Sequence, residues 1–354
     1  MWDVRNLQRG RGAVFSPGNR FEVLHTEVDS DCEVDEEQSS LRTIFLDDDA
    51  QSIITYNKSP DIGFDAGINV YRGCEHGCAY CYARPTHEYL GFNSGLDFES
   101  RIMVKRRAPE LLRKELMSQR WKPQFLAMSG NTDCYQPIEK KLRLTRGCLE
   151  VLAEFRNPVG IITKNYLVTR DIDVLTELAK HQCVVVYLSI NSLDADLAAK
   201  LEPRAASPKH RFEAMRKLSD AGIPVGILTA PIIPGLNDHE LPVLLKTAAE
   251  NGAKTAGHTV VRLPYAVKDL FSAWLDALYP DRKAKVLDRI RSMRDGKLNN
   301  SDFGSRMRGT GFFADQIHQL FEVSVCRAGL NEREVHVSAD AFRRPGENVQ
   351  MKLL

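Results

Sequence analysis

The stretch INVYRGCEHGCAYCYAR, residues 68–84, runs a short apolar segment straight into a loop with three cysteines in eight positions. INVYR (68–72) reads as a buried strand, and the cysteines follow at its C-terminal end. Their spacing is Cys74-x3-Cys78-x2-Cys81. Gly73 and Gly77 let the backbone wrap tightly around something bulky. Tyr80 and Tyr82 flank the last thiol. Three is an odd number for disulfides and one short of a closed tetrahedral metal site.

The texture of that first strand repeats along the chain. QFLAMSG (124–130), VGIITKN (159–165), CVVVYLSIN (183–191), VGILTAPII (225–233) and HTVVRLPY (258–265) are further short apolar runs, mostly bounded by Gly, Pro or Asn. Between them, residues 108–119, 144–155, 171–180, 207–222 and 238–252 carry apolar side chains at helical spacing. Asp171 and Ser207 suit N-caps, and Gly222 and Gly252 suit helix ends. Strand and helix alternating through about six units predict an α/β fold with a parallel sheet and right-handed crossovers. Six units fit a partial (β/α)6 TIM-like barrel; a doubly wound open sheet is the alternative, and periodicity does not separate them. In both, chemistry gathers at the C-terminal strand ends.

The pattern divides the chain into an irregular, partly disordered arm (1–60), a core barrel (61–300) and a C-terminal extension (301–354). The arm holds Arg5, Arg9, Arg11 and Arg20, then an acidic run over residues 29–37. After residue 266 the chain reads as mostly helical, with a break at Pro280. The 354 residues are 43 % hydrophobic, enough for a sizeable core, and the formal net charge of +1 implies neither a membrane surface nor wholesale coating of nucleic acid. No run of 18 apolar residues and no apolar leader is visible, so a cytoplasmic protein with no membrane partner is expected. There thiols stay reduced, and the eight cysteines are expected to be ligands, catalytic groups or small buried residues.

Three readings of the triad compete. A structural zinc site would need a fourth ligand, for which His76, His87 and Cys134 are available at spacings unlike a zinc finger. Three free thiols would be an oxidation liability. An iron–sulfur cubane on three thiolates would keep one iron open for another ligand.

The Cys-x3-Cys-x2-Cys loop after the first strand of a partial barrel resembles the signature of radical S-adenosylmethionine (SAM) enzymes, over about residues 67–265. The resemblance implies a [4Fe-4S] cluster on Cys74, Cys78 and Cys81, SAM bound at the open iron, an external electron donor of flavodoxin or ferredoxin type, and reductive cleavage to methionine and a 5′-deoxyadenosyl radical. It also implies SAM contacts at successive strand ends: Ser129, Asn131 and Thr132 in SGNTD, Lys164 in ITKN, Ser189 and Asn191 in SIN, then Glu202, Arg204 and Arg211 in EPRAASPKHRFEA. The apolar strand end APIIPG suits adenine. No second cysteine cluster is visible, so no auxiliary cluster is expected.

Within the superfamily the chain is similar to spore photoproduct lyase and its "DNA repair photolyase"-like relatives, through CAYCY, SGNTD, ITKN, SIN and the RFEA helix start. This likeness maps SAM contacts of the lyase onto Thr132, Lys164, Ser189 and Arg211, and its relay tyrosines onto Tyr80 and Tyr82. The lyase's hydrogen-donating cysteine corresponds to Gly130, leaving Cys134, four residues on, as the displaced candidate; a small buried residue is the other reading of Cys134. A lyase-like enzyme acting on nucleic acid, damaged DNA in particular, is the leading expectation. A radical SAM enzyme acting on protein, peptide or RNA, or a non-catalytic zinc- or cluster-binding protein, are the alternatives. The arginines of RNLQRGRGA, RGTGFF and AFRRPG are expected to contact phosphates or to serve packing and partner surfaces.

Overall fold

A computed structural model describes residues 10–22 and 42–346. Arg5, Arg9, Cys32 and the acidic run over 29–37 lie outside the described residues. Among the described residues ten strands form two sheets: β1 (Ile44–Asp47), β2 (Ile54–Tyr56), β3 (Ala66–Ile68), β4 (Tyr71–Arg72), β5 (Arg101–Val104), β6 (Leu126–Met128), β7 (Val159–Thr163), β8 (Val184–Ser189), β9 (Val225–Ile232) and β10 (Thr255–Val260).

The main sheet has the order β10-β9-β8-β7-β6-β3-β2. Its six strands from β3 to β10 are all parallel and lie in chain order. An order that never reverses sends every right-handed crossover to the same face, so the sheet curls as a barrel does; a doubly wound sheet would reverse at a switch point. The strand order thus selects the partial barrel. β2 pairs antiparallel with β3 at one edge, and a small sheet, β1-β5-β4, stands beside it.

The helices are α1 (Leu96–Ser100), α2 (Ala108–Met117), α3 (Glu139–Leu142), α4 (Leu144–Phe155), α5 (Ile172–Lys180), α6 (Ala195–Leu201), α7 (Pro208–Asp220), α8 (Leu241–Glu250), α9 (Val267–Leu278), α10 (Pro280–Ser292) and α11 (Phe312–Ala328). α4 shows why these segments are helical: Cys148, Leu149, Leu152 and Phe155 fall on one buried stripe. Ser207 caps α7 through the N–H of His210, and Pro280 opens α10 at a position where a missing N–H loses no helical bond. Among the described residues no helix is long and apolar enough to cross a membrane.

Four sequence expectations change. INVYR is not one strand: Ile68 ends β3, and Tyr71–Arg72 swings over to pair with β5. The pull is polar, since the Tyr71 hydroxyl donates to the buried Glu139 carboxylate at 2.5 Å. The sixth barrel strand begins at Thr255 rather than His258, in a Thr-Ala-Gly stretch of low strand propensity that pairing with residues 226–229 recruits. Asp171 stands at the start of α5, yet its carboxylate caps nothing; it is fully buried and takes Arg146, Arg170 and the Tyr135 hydroxyl instead. Finally, β1 and β2 lie inside the stretch read as an irregular arm, each too short to stand out without its partner strand.

Candidate active site

The cysteine loop leaves β4 and is shaped by Gly73 (φ 79°) and Gly77 (φ 64°), both in the left-handed region. Cys74 N–H donates to Phe98 O at 2.9 Å. The guanidinium of the fully buried Arg84 donates to Cys78 O at 2.8 Å and Gly95 O at 2.9 Å, and pairs with Glu99 at 2.5 Å. Glu99 also accepts the N–H groups of Gly12 (3.1 Å) and Ala13 (2.8 Å), while Arg11 donates to its carbonyl at 2.7 Å. Residues 10–20 are therefore laid against the back of the loop. A Cβ on Gly12 would stand 1.7 Å from Gly77 O, so only glycine permits this approach.

Four arginines of the two end segments bond to groups of the protein itself. Arg11 serves the loop, and Arg20 pairs with Glu88 at 2.9 Å and lies 3.8 Å from the Tyr265 ring centroid. Arg343 donates to Glu154 O, and Arg344 to Leu116 O and Trp121 O.

In front of the loop lies a cavity of about 300 Å³. Cys74, Cys78, Cys81, Tyr80 and Tyr82 form one wall. The strand ends contribute Ser129, Gly130, Asn131 and Thr132 after β6, Lys164 after β7 and Ser189 at the end of β8. Leu228, Ala230 and Pro231 of β9 add an apolar patch, and Phe64, Arg262 and Met307 close the far side. Of the residues expected from sequence, Cys134, Asn191, Glu202, Arg204 and Arg211 stand behind this wall.

That layer is held mostly by contacts within the protein, although Asn191 Oδ1 has no hydrogen-bond partner among the described residues. Arg211 pairs with Glu202 at 2.5 Å and donates to Ser189 O at 2.8 Å and Ala206 O at 2.7 Å. Glu202 also accepts the Tyr80 hydroxyl, which Asn191 donates to at 3.3 Å. Burial alone would raise the Glu202 carboxyl; Arg211 and Lys164 beside it bring it below the usual range. Arg204 reaches Glu75 at 3.1 Å and Thr43 at 3.2 Å. Cys134 N–H donates to Ser129 Oγ at 2.9 Å, and burial drives its thiol pKa well up.

Asp133 and His76 form the pair that shapes the rim. Asp133 accepts from Thr163 Oγ1 (2.8 Å) and Lys164 N–H (2.7 Å), with His76 Nδ1 at 3.3 Å. Burial pushes the carboxyl up, but the His76 charge outweighs it and holds Asp133 at about 2. Burial pulls His76 down, and Asp133 then Cys74 outweigh it, to about 10. Lys164 is the exception: among the described residues its ammonium has neither a hydrogen bond nor an ion pair. Burial lowers its pKa, but Glu202 and Cys78 nearby raise it further.

Sequence reasoning missed Arg262, Met307 and Phe64. Arg262 follows the sixth strand, so the strand-end rule that found Lys164 would have reached it. Phe64 and Met307 carry no such signal. They arrive because Arg306 pairs with Asp61 at 2.5 Å, Gly304 N–H donates to Asp61 at 2.7 Å, and Val260 N–H donates to Met307 O at 2.9 Å.

The residues present fit a cluster better than a single ion. Among the described residues no three His, Cys, Asp or Glu side chains are grouped to hold one metal ion. A tetrahedral ion needs its ligands to converge on a point, whereas a cubane is several ångströms across and takes thiolates spread over a wall. Burial keeps the Cys78 and Cys81 thiols protonated, a state that a bound cation reverses by taking the thiolate.

The comparisons agree with this geometry. A family model described as "Radical SAM superfamily" matches residues 68–248. An uncharacterised protein of Mycobacterium tuberculosis is 34 % identical over 240 residues, which is 66 % of this chain and 71 % of that protein. One from Methanocaldococcus jannaschii is 34 % identical over 173 residues, 49 % of this chain and 62 % of that protein. Among solved structures, spore photoproduct lyase complexed with dinucleoside spore photoproduct matches with a TM-score of 0.58 at 16 % identity, covering 81 % of this chain and 80 % of that one. A mutant of the lyase with bound AdoMet matches with the same TM-score at 17 % identity, covering 82 % and 81 %. At that identity the likeness is one of fold.

Proposed function

The chain belongs to the radical SAM superfamily, whose members bind a [4Fe-4S] cluster and SAM, and on that premise we propose that it cleaves SAM reductively and turns the resulting radical on a nucleic-acid substrate. The observation that carries the reading is the wall of three thiols facing a cavity ringed by polar strand ends. Cys74, Cys78 and Cys81 would hold the cluster. When bound, the cluster supplies the electron that splits the sulfonium into methionine and a 5′-deoxyadenosyl radical.

The chain's own residues bind and orient. Lys164 offers its unpaired ammonium to the SAM carboxylate. Ser129, Asn131, Thr132 and Ser189 present short polar groups to the ammonium and ribose. Leu228, Ala230 and Pro231 offer an apolar face to adenine. Glu202, Arg211, Asn191 and Arg204 act from behind as positioning residues, since their polar groups already hold strand ends and loop together. Tyr80 and Tyr82 are the hydrogen-transfer candidates on the wall; the Tyr82 hydroxyl donates to the carbonyl of Gly130, the residue that the sequence likeness sets against the lyase's hydrogen-donating cysteine. Cys134, one layer back, is left as a packing residue. A one-electron donor of flavodoxin or ferredoxin type and a cytoplasmic, reducing setting complete the proposal. The solved lyase complex with a dinucleoside photoproduct supports a nucleic-acid lesion as the substrate.

Anaerobic reconstitution tests this. The expected result is a brown protein that forms 5′-deoxyadenosine from SAM under dithionite and turns over an oligonucleotide carrying a pyrimidine dimer. A colourless protein with one zinc per chain would sink the enzyme reading. Abundant SAM cleavage with no turnover of the oligonucleotide would remove the lesion as substrate.

A further inference from the structure

Two cations line the cavity without a carboxylate partner among the described residues, Lys164 and Arg262. They sit on different sides. Lys164 lies toward the thiols, close enough to Cys78 and Glu202 for both to raise its pKa. Arg262 follows β10 on the far side, with Met307 and the Tyr82 ring as neighbours. Its Nη1 has only the Met307 sulfur, a weak acceptor, at 3.3 Å, and its buried Nε has no partner.

The deeply buried Arg84, Arg211 and Arg294 are answered within the fold. Arg84 pairs with Glu99, Arg211 with Glu202, and Arg294 donates to Val261 O at 2.6 Å and Arg306 O at 3.1 Å. Arg262 instead faces Arg306, which repels it, while the Asp61 carboxylate nearby is held by Arg306 and Gly304. A half-buried guanidinium with neither a counter-ion nor an oxygen acceptor gains little for folding, because desolvation costs more than its contacts return. It serves a ligand that brings the anion.

We propose that Arg262 is the anion subsite of the substrate pocket and takes a phosphodiester of the nucleic-acid substrate. This rests on the radical SAM reading above, in which Lys164 takes the carboxylate of SAM and leaves Arg262 for the substrate. A phosphodiester fits better than a protein carboxylate because of the aromatic rings beside Arg262 and along the chain that follows it. The Arg262 guanidinium stands 5.6 Å from the Tyr82 ring centroid. Three residues on, Tyr265 is 62 % exposed and continues through Arg20 to the exposed rings of Phe21 and Tyr89, whose centroids are 5.0 Å apart. Flat aromatic faces beside a cation suit stacked bases on a charged backbone.

The test uses reconstituted holoprotein with SAM and measures equilibrium binding of thymidylyl-thymidine against its uncharged methylphosphonate analogue. The wild type is expected to prefer the charged dinucleotide by about tenfold or more. Arg262→Gln is expected to erase that preference, and Arg262→Lys, which keeps the charge, to retain part of it. Equal wild-type affinity for both dinucleotides, or an undiminished preference in Arg262→Gln, overturns the proposal. Should Arg262→Gln fail to fold, the wild-type comparison alone decides. Binding of a diglutamate peptide in place of the dinucleotide would assign the site to a carboxylate and also overturn it. None of these readouts needs turnover. Failure to cleave SAM would strike the underlying reading, whereas lost discrimination with SAM cleavage intact would strike Arg262 alone.

Discussion

The two faces of the cysteine loop are built on opposite rules. Behind it, Glu99 accepts two backbone N–H groups and an arginine, Arg84 is bonded at each nitrogen, and Gly12 packs against the Gly77 carbonyl. In front, three thiols, the Lys164 ammonium and the Arg262 guanidinium face a cavity with little protein to answer them. Buried charge that is fully paired supports structure, while polar groups left open toward a cavity await a ligand. On this contrast the front should govern activity and the back should govern stability.

The largest expected effect breaks the front alone. Cys74→Ala, Cys78→Ala or Cys81→Ala should each lose cluster iron and reduce SAM cleavage to background, as read by iron content and 5′-deoxyadenosine. Full SAM cleavage in any one of them would show that the ligand set is wrong. The back is attacked by Glu99→Gln, which leaves Arg84 buried without its counter-charge. It should cost about 3–5 kcal/mol in chemical denaturation of the protein; a loss under 1 kcal/mol would mean the clamp is not structural.

A pH effect probes the same rear face. His87 is fully buried, has Nε2 2.9 Å from Arg101 O, and packs against Phe92 and Phe98. Burial brings its pKa down to about 4, below the 6.5 of an unfolded histidine. The unfolded chain therefore binds the extra proton between those values. Stability from His87 is whole above pH 6.5 and declines as pH falls toward 4, by up to about 3 kcal/mol. His87→Gln should make that acid limb shallower, and parallel limbs in the two proteins would refute it. The smallest effect is expected away from both faces. Cys326 is exposed on α11, so Cys326→Ser should leave the cluster iron unchanged and shift stability by about 0.5 kcal/mol or less.

Much of the front was legible in one dimension because its signals are local. The thiol spacing, the apolar runs before each polar strand end, and the stripe of α4 are carried by neighbouring residues, whose propensities act wherever the chain goes. They determined a six-unit parallel α/β core with a three-cysteine loop at its chemical end. The tertiary structure decided the rest. Strand order chose the barrel over the doubly wound sheet. Pairing across the chain drew Tyr71 out of the first strand and put Thr255 into the last. A hydrogen bond to the Glu99 carbonyl turned Arg11 inward, an ion pair with Glu202 did the same for Arg211, and the Asp61–Arg306 contact brought Phe64 and Met307 to the cavity from opposite ends of the sequence. Such choices depend on which distant groups can answer a buried charge, a relation between residues up to hundreds of positions apart that no local pattern records.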